Sequence, residues 1–221
     1  MAAGYRLTLR SSNVCAVNWL AHVFLSEPNV EFQLGNLLAD VVRGEQREAM
    51  SAEFVRGAIC HKAIDAFTDA HPVVRRSRAR ISTTHRRFSA VLVDVFYDYC
   101  LARNWARYSP LSLHDFTAAF YRDAQASAIQ LPAVARSMLE RIIRHDLLSS
   151  YARADGVERA LQRISTYLES RWHKQFALDA CVRDLLDHET AFIADFHEFF
   201  PALQSQVAAH NVAAIDLSSA S

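Results

Sequence analysis

The chain has 221 residues, 51% of them hydrophobic, with 24 basic and 24 acidic side chains and a formal net charge of zero. That suffices for one core of ordinary size, and the even balance excludes a globally electrostatic nucleic-acid binder while leaving room for a local basic patch. With only 5 Gly and 5 Pro, the composition predicts mostly helix with short connections, and no run approaches the ~20 apolar residues that cross a bilayer.

Residues 1–16 carry no clear period. A first helix is expected over 18–25, ending before Glu27-Pro28, because the residue before proline avoids helical backbone. A second runs over about 30–42, with Gly44 as a stop. Ser51 opens a long helix that carries His61 and Asp65 and is punctuated at Asp69-Ala70-His71-Pro72. A short basic helix follows to about Ile81. Residues 88–105 read as a buried helix, apolar almost throughout and interrupted by Asp94 and Asp98. Further helices are expected at 112–129, 133–149, 157–171 and 178–210, with an amphipathic stretch from Asp179 that stops at Pro201. There is no internal repeat and no low-complexity linker. The expectation is an all-α fold, a single-domain helical bundle, divided into an N-terminal extension (1–16), a helical domain (17–211) and a frayed tail (212–221).

Cys15, Cys60, Cys100 and Cys181 are scattered, with no Cys-x-x-Cys pair. Cys60 and Cys100 sit in apolar helical surroundings, as buried thiols of a reducing compartment would, so a cytoplasmic location is expected. Arg6 and Arg10 are not followed by the apolar core and cleavage signal of a secretory peptide.

Chemistry-bearing residues concentrate in two segments. His61, Asp65 and Asp69 are spaced by four, which stacks them along one helix face, with Ile59, Ile64 and Phe67 as apolar backing. Asp94 and Asp98 are again one turn apart, inside an apolar run where an unpaired carboxylate is costly. An imidazole and carboxylates on one stripe suit a divalent metal. Plainer alternatives stand beside this: Asp65 paired with Lys62 or Arg75, and Asp69 capping the helix that begins at Pro72. His22 adds an early imidazole. Asp40 adds an acid, with a surface pair to Arg43 as its alternative. Gly35 inside a helix implies close backbone approach. The dipeptides His114-Asp115 and His145-Asp146 read as a helix first turn after Ser112 and a solvated helix end. The basic run Arg75-Arg76-x-Arg78-x-Arg80, with Arg86-Arg87, is either a solvated face or an anion-binding one.

Four blocks occur in a fixed order. They are Asn18-Trp19-Leu20-Ala21-His22, then Gly35-Asn36-Leu37-Leu38-Ala39-Asp40-Val41-Val42-Arg43-Gly44, then His61-Lys62-Ala63-Ile64-Asp65 with Thr68-Asp69 and His71-Pro72, and finally Val93-Asp94 with Phe96-Tyr97-Asp98, Leu101-Ala102 and Trp105. With Phe199-Phe200-Pro201 they resemble the acyl carrier protein phosphodiesterases over nearly the whole chain from Val17. The resemblance implies an all-helical fold distantly like the His-Asp metal phosphohydrolases, with ligands rearranged along the chain. It implies hydrolysis of the phosphodiester joining 4′-phosphopantetheine to a serine of holo acyl carrier protein, with Mn²⁺ or Mg²⁺. The expected ligands are His22, Asp40, His61, Asp65, Asp94 and Asp98, a hard mixed N/O set that suits those ions. Asp69 or His71 would orient a ligand or protonate the departing serine oxygen. Arg43 and Lys62 would neutralise phosphate oxygens, and Asn36, Arg75, Arg76 and Tyr99 would contact substrate. The basic helix would dock the acidic carrier protein. Neither nucleic acid nor a membrane span is expected. Tyr99 stands where many relatives have histidine. Residues 1–16 precede the family's usual beginning at Val17 and read as a misassigned leader, with Val17 as the alternative start. Two alternatives stay open: a phosphohydrolase of a small phosphoester, and a non-catalytic helical module that binds an acidic partner.

Overall fold

The computed structural model describes residues 18–219, and among them the regular structure is helical, without strands. The first elements among the described residues are α1 (Trp19–Phe24) and α2 (Val30–Leu38). The Asn29 side chain caps α2 by accepting from the amides of Glu31 and Phe32. A short α3 (Glu45–Glu48) follows Gly44, which takes a positive φ of 53°. Ser51 then caps α4 (Ala52–Ala70), and α5 (Pro72–Arg78) starts on a proline, whose missing amide costs nothing at that position. After a 3-10 segment (Thr83–Phe88) come α6 (Ser89–Arg103) and α7 (Leu113–Ala126). The second half holds α8 (Ala133–Arg144), α9 (Leu147–Ser150), α10 (Ala154–Trp172), α11 (Val182–Asp187) and α12 (Glu189–Ser219).

Helix α6 is the axis of the bundle. Every residue from Val91 to Ala102 is buried, because the segment is apolar on all sides and only a central position satisfies that. α1, α5, α10 and α12 pack around it. α12 supplies the aromatic wall: Phe192 meets Phe96 edge-on, and Phe196 does the same to Tyr97.

The closest packing is between α2 and α4, and glycine is the cause. A Cβ on Gly35 would stand 2.0 Å from the Phe54 carbonyl oxygen, and one on Gly57 would stand 2.0 Å from the Phe32 oxygen. Each helix thus rests its backbone on the other's glycine. This contact brings the end of α2 against the middle of α4, where the chemistry lies.

Several boundaries differ from the sequence reading. The stretch 178–210 is three elements, with a 3-10 turn at Leu178–Cys181 ahead of α11 and α12. α12 does not stop at Pro201 but passes through it to Ser219. A proline inside a helix costs about 3 kcal/mol. Burial of Phe199 and Phe200 before it, and of Leu203 and Val207 after it, outweighs that cost. The helix expected over 133–149 breaks where Asp146 adopts a left-handed conformation, φ 43°. Ile59, expected as apolar backing, is 49% exposed. The proposed extension, residues 1–16, lies outside the described residues. No helix among the described residues is long and apolar enough to cross a membrane.

Candidate metal centre

His22 on α1 and His61 on α4 are buried and stacked, ring centroids 4.2 Å apart and 21° from parallel. One residue orients both. The Asn36 backbone oxygen lies 2.8 Å from His61 Nδ1, and its side-chain Oδ1 lies 2.7 Å from His22 Nδ1. A carbonyl only accepts, so His61 donates from Nδ1. Asn36 Nδ2 donates to the His22 carbonyl and to Ser26 Oγ, both at 3.0 Å. That fixes which amide atom is oxygen, so His22 also donates from Nδ1. Both rings therefore turn their Nε2 atoms the same way.

Those Nε2 atoms are buried and make no hydrogen bond. They face Asp65, at 3.4 Å from His22 and 3.2 Å from His61, without hydrogen-bond alignment. Asp40 Oδ2 lies 3.8 Å from His61 Nε2. His22, His61 and Asp65 each offer an atom within 4.8 Å of the others, close enough to share one metal ion. Two orphaned imidazole nitrogens aimed at a carboxylate, with their far nitrogens held by acceptors, fit a divalent cation.

The electrostatics agree. Burial lowers the His61 imidazolium, but Asp40 and Asp65 outweigh it and raise the group to about 10. His22 is lowered, first by burial and then by the positive charge of its stacked neighbour. Burial would raise Asp65, yet the two imidazoles hold it below the usual carboxylate range. A cation in place of the His61 proton would satisfy the same carboxylates.

Asp94, on the buried side of α6, is 7% exposed and accepts no hydrogen bond among the described residues. Burial first, and Asp65 second, push its carboxyl up to about 8, against the pull of Arg78. It therefore stands near the cluster as a largely neutral acid. Arg78, read from sequence only as one member of the basic run, bonds Asp69 at 2.6 Å, and its Nε is buried without a partner. The pairing spans two helices, so no spacing rule marks it.

Other expected residues have different work. Asp98 accepts the amides of Leu20 at 3.0 Å and Ala21 at 2.9 Å, capping α1 from another helix. It falls outside the His22–His61–Asp65 group because both its oxygens point to that helix end. Asn36, expected as a substrate contact, is wholly buried and spends its polar groups on His22, Ser26 and His61. Tyr99 turns away from Asp94, one face round on α6, and its hydroxyl donates to Glu189 at 2.5 Å. Arg76 bonds Asp195 and Glu198 on α12, where Asp195 also takes Ser77 and Arg80. These contacts tie α5 to α12, so the basic run is not one free face. His71 caps α5 by accepting from the Val73 amide at 3.3 Å. Arg43 approaches Asp40 at 3.4 Å; Lys62 and Arg75 are exposed, and Arg75 reaches the Ala70 carbonyl.

The fold and site together define an all-α bundle with a buried His-His-carboxylate group that is compatible with a divalent metal. The sequence matches the family described as acyl carrier protein phosphodiesterase over residues 17–203, and the chain belongs to that family. A protein of that name from Yersinia enterocolitica is 31% identical over 191 residues, covering 86% of this chain and 97% of the relative. One from Pectobacterium atrosepticum is 29% identical over 188 residues, 85% and 95% of the two chains. One from Serratia proteamaculans is 42% identical over 102 residues, 46% of this chain and 53% of the relative. No solved structure matches the chain.

Proposed function

We propose that this protein hydrolyses the phosphodiester between 4′-phosphopantetheine and the serine of holo acyl carrier protein, releasing the apo carrier. Family membership supports the substrate, and the two orphaned Nε2 atoms facing Asp65 support metal-assisted hydrolysis. His22, His61 and Asp65 would hold a divalent ion, with Asp40 and Asp94 nearby. The nitrogen and oxygen donors suit Mn²⁺ or Mg²⁺ better than a thiolate metal. A bound divalent ion supplies positive charge for the phosphoryl oxygens and lowers the pKa of coordinated water.

The protein's own residues do the rest. Asn36 fixes the two rings, so little reorganisation accompanies reaction. Arg43, Lys62 and Arg78 supply positive charge for a phosphodiester approaching from the exposed side of Asp40 and Asp65. Asp94, buried beside the His22–His61–Asp65 group, is the candidate proton donor to the departing serine oxygen. Asp69, paired with Arg78, holds that arginine. The carrier protein and its hydrolase meet in the cytoplasm, consistent with the free thiols of Cys60, Cys100 and Cys181. The test is the intact mass of holo carrier protein after incubation with the enzyme and Mn²⁺. Loss of the phosphopantetheine mass, prevented by EDTA, is expected. An unchanged carrier with folded, metal-loaded enzyme would refute the substrate assignment.

A further inference from the structure

A basic cavity lies on elements that take no part in the metal centre. It has a volume of about 400 Å³ and opens between the end of α8, the turn into α9, and the first half of α10. Arg141, Arg153, Arg159 and Arg163 line it, together with His145. The acid among the lining residues is Asp146, which already accepts from the Tyr121 hydroxyl at 3.0 Å. Asp155 neutralises part of the charge by pairing with Arg153 at 3.1 Å and Arg159 at 2.6 Å. Among the described residues, no carboxylate stands within ion-pair distance of Arg141 or Arg163.

Arg163 decides the matter. It is half-buried and sits one helical turn from Arg159, a spacing at which like charges repel. Burial lowers its guanidinium below the ordinary value, Tyr151 opposes this, and Arg159 and Arg141 reinforce it. An exposed arginine would swing into water to escape that repulsion. Its retention beside two others, around a cavity instead of a packed interface, leaves a positive concavity that lacks its counter-charge.

We propose that this cavity binds a phosphate dianion, free or as the terminal monoester of a small metabolite. Guanidinium forks match a tetrahedral oxyanion in pairs, and several converging forks favour a double charge over chloride. The volume exceeds what bare phosphate fills, which leaves room for a short organic arm. The site is independent of the hydrolytic reading, since it shares no residue with the His22–His61–Asp65 group.

The test is calorimetric titration of the EDTA-treated full-length protein with inorganic phosphate, which removes any metal-bound phosphate from the signal. Saturable one-to-one binding is expected. Arg163→Gln should weaken it about tenfold or more, and Arg141→Gln, at an exposed position that leaves folding untouched, should do likewise. His61→Ala should leave it unchanged. Glycerol 3-phosphate and 4′-phosphopantetheine, titrated in parallel, identify the source: tighter binding than phosphate assigns an esterified ligand, and equal or weaker binding assigns free phosphate. No saturable binding, the same heat from sodium chloride at equal ionic strength, or unaltered affinity in both arginine variants would overturn the proposal.

Discussion

Asn36 and His61 are joined through the backbone, not through side chains: the Asn36 carbonyl oxygen takes the His61 Nδ1 proton at 2.8 Å. The same residue's side chain serves His22. The two imidazoles are thus held by different parts of one asparagine, and substitution separates them. Asn36→Ala leaves His61 oriented and sets His22 free, with Ser26 and the His22 carbonyl losing a donor. The expected result is a metal affinity lower by about 10–100-fold and stability lower by about 1–3 kcal/mol. Titration with Mn²⁺ and thermal unfolding check the two separately. Loss of metal binding beyond that range would mean that Asn36 does more than orient.

The α2–α4 crossing predicts an intolerant glycine. Gly57→Ala gains about 1 kcal/mol of helix propensity but drives a methyl to 2.0 Å from the Phe32 carbonyl. Backbone cannot yield as a side chain does, so a net loss of about 3 kcal/mol or more is expected, seen as a lower melting temperature. Gly44→Ala is the contrast. Nothing lies within 4 Å of its Cβ position, and only its backbone, φ 53° and ψ −137°, opposes the change, at about 1–3 kcal/mol.

Asp94 makes the stability of the metal-free protein depend on pH. Its carboxyl ionises at about 8 when folded, against 3.8 as the ordinary value. Between those values the folded state holds a proton that the unfolded state has lost, so stability falls as pH rises through this window. Asp94→Asn removes this residue's share of the slope. Relative to the parent, the variant should gain stability steadily from about pH 4 to about pH 8 and then level off. Denaturant melts of EDTA-treated protein across that range measure it. A constant difference would contradict the assignment.

His61 gives the same sign in a higher window. Its folded value is raised to about 10 from 6.5, so its contribution is complete below 6.5 and is lost as pH climbs through about 10. A cation that takes Nε2 must displace that proton. Binding of Mn²⁺ at about pH 8 should therefore release close to one proton, measurable by calorimetry in buffers of different ionisation enthalpy. Zero release would mean that the ion does not use Nε2.

Tyr99→Phe tests a residue read from sequence as a substrate contact. In the fold its hydroxyl serves Glu189 at the start of α12. The variant should lose about 0.5–1.5 kcal/mol of stability and keep kcat/KM within about twofold. A large fall in kcat/KM with little change in stability would return Tyr99 to the substrate.

The sequence was legible where chemistry follows period. The His61–Asp65 spacing, the buried character of residues 88–105, the caps at Ser51 and Ser112 and the all-helical class follow from local rules. Family resemblance added His22, which periodicity alone leaves as a lone histidine. What local rules cannot carry is direction between helices. Asp98 looks like a ligand because it is one turn from Asp94, yet its oxygens meet amides 77 and 78 residues away. Arg76 and Tyr99 find partners on α12, which no spacing within their own helices announces. Pro201 marks a helix end by rule, and burial on both sides overrides it.

The capping of α1 by Asp98 also bears on the order in which the protein assembles. Asn36 and His61 are 25 residues apart, and their hairpin of helices closes early at low entropic cost. His22 arrives only when α6 has docked, since its short helix depends on a contact that spans 77 residues. A refolding chain should present one imidazole and Asp65 first and the second imidazole last. If the group takes Mn²⁺ as proposed, tight binding should appear in step with the slowest packing event in stopped-flow refolding, and the ion would recognise finished molecules and ignore those still on the way.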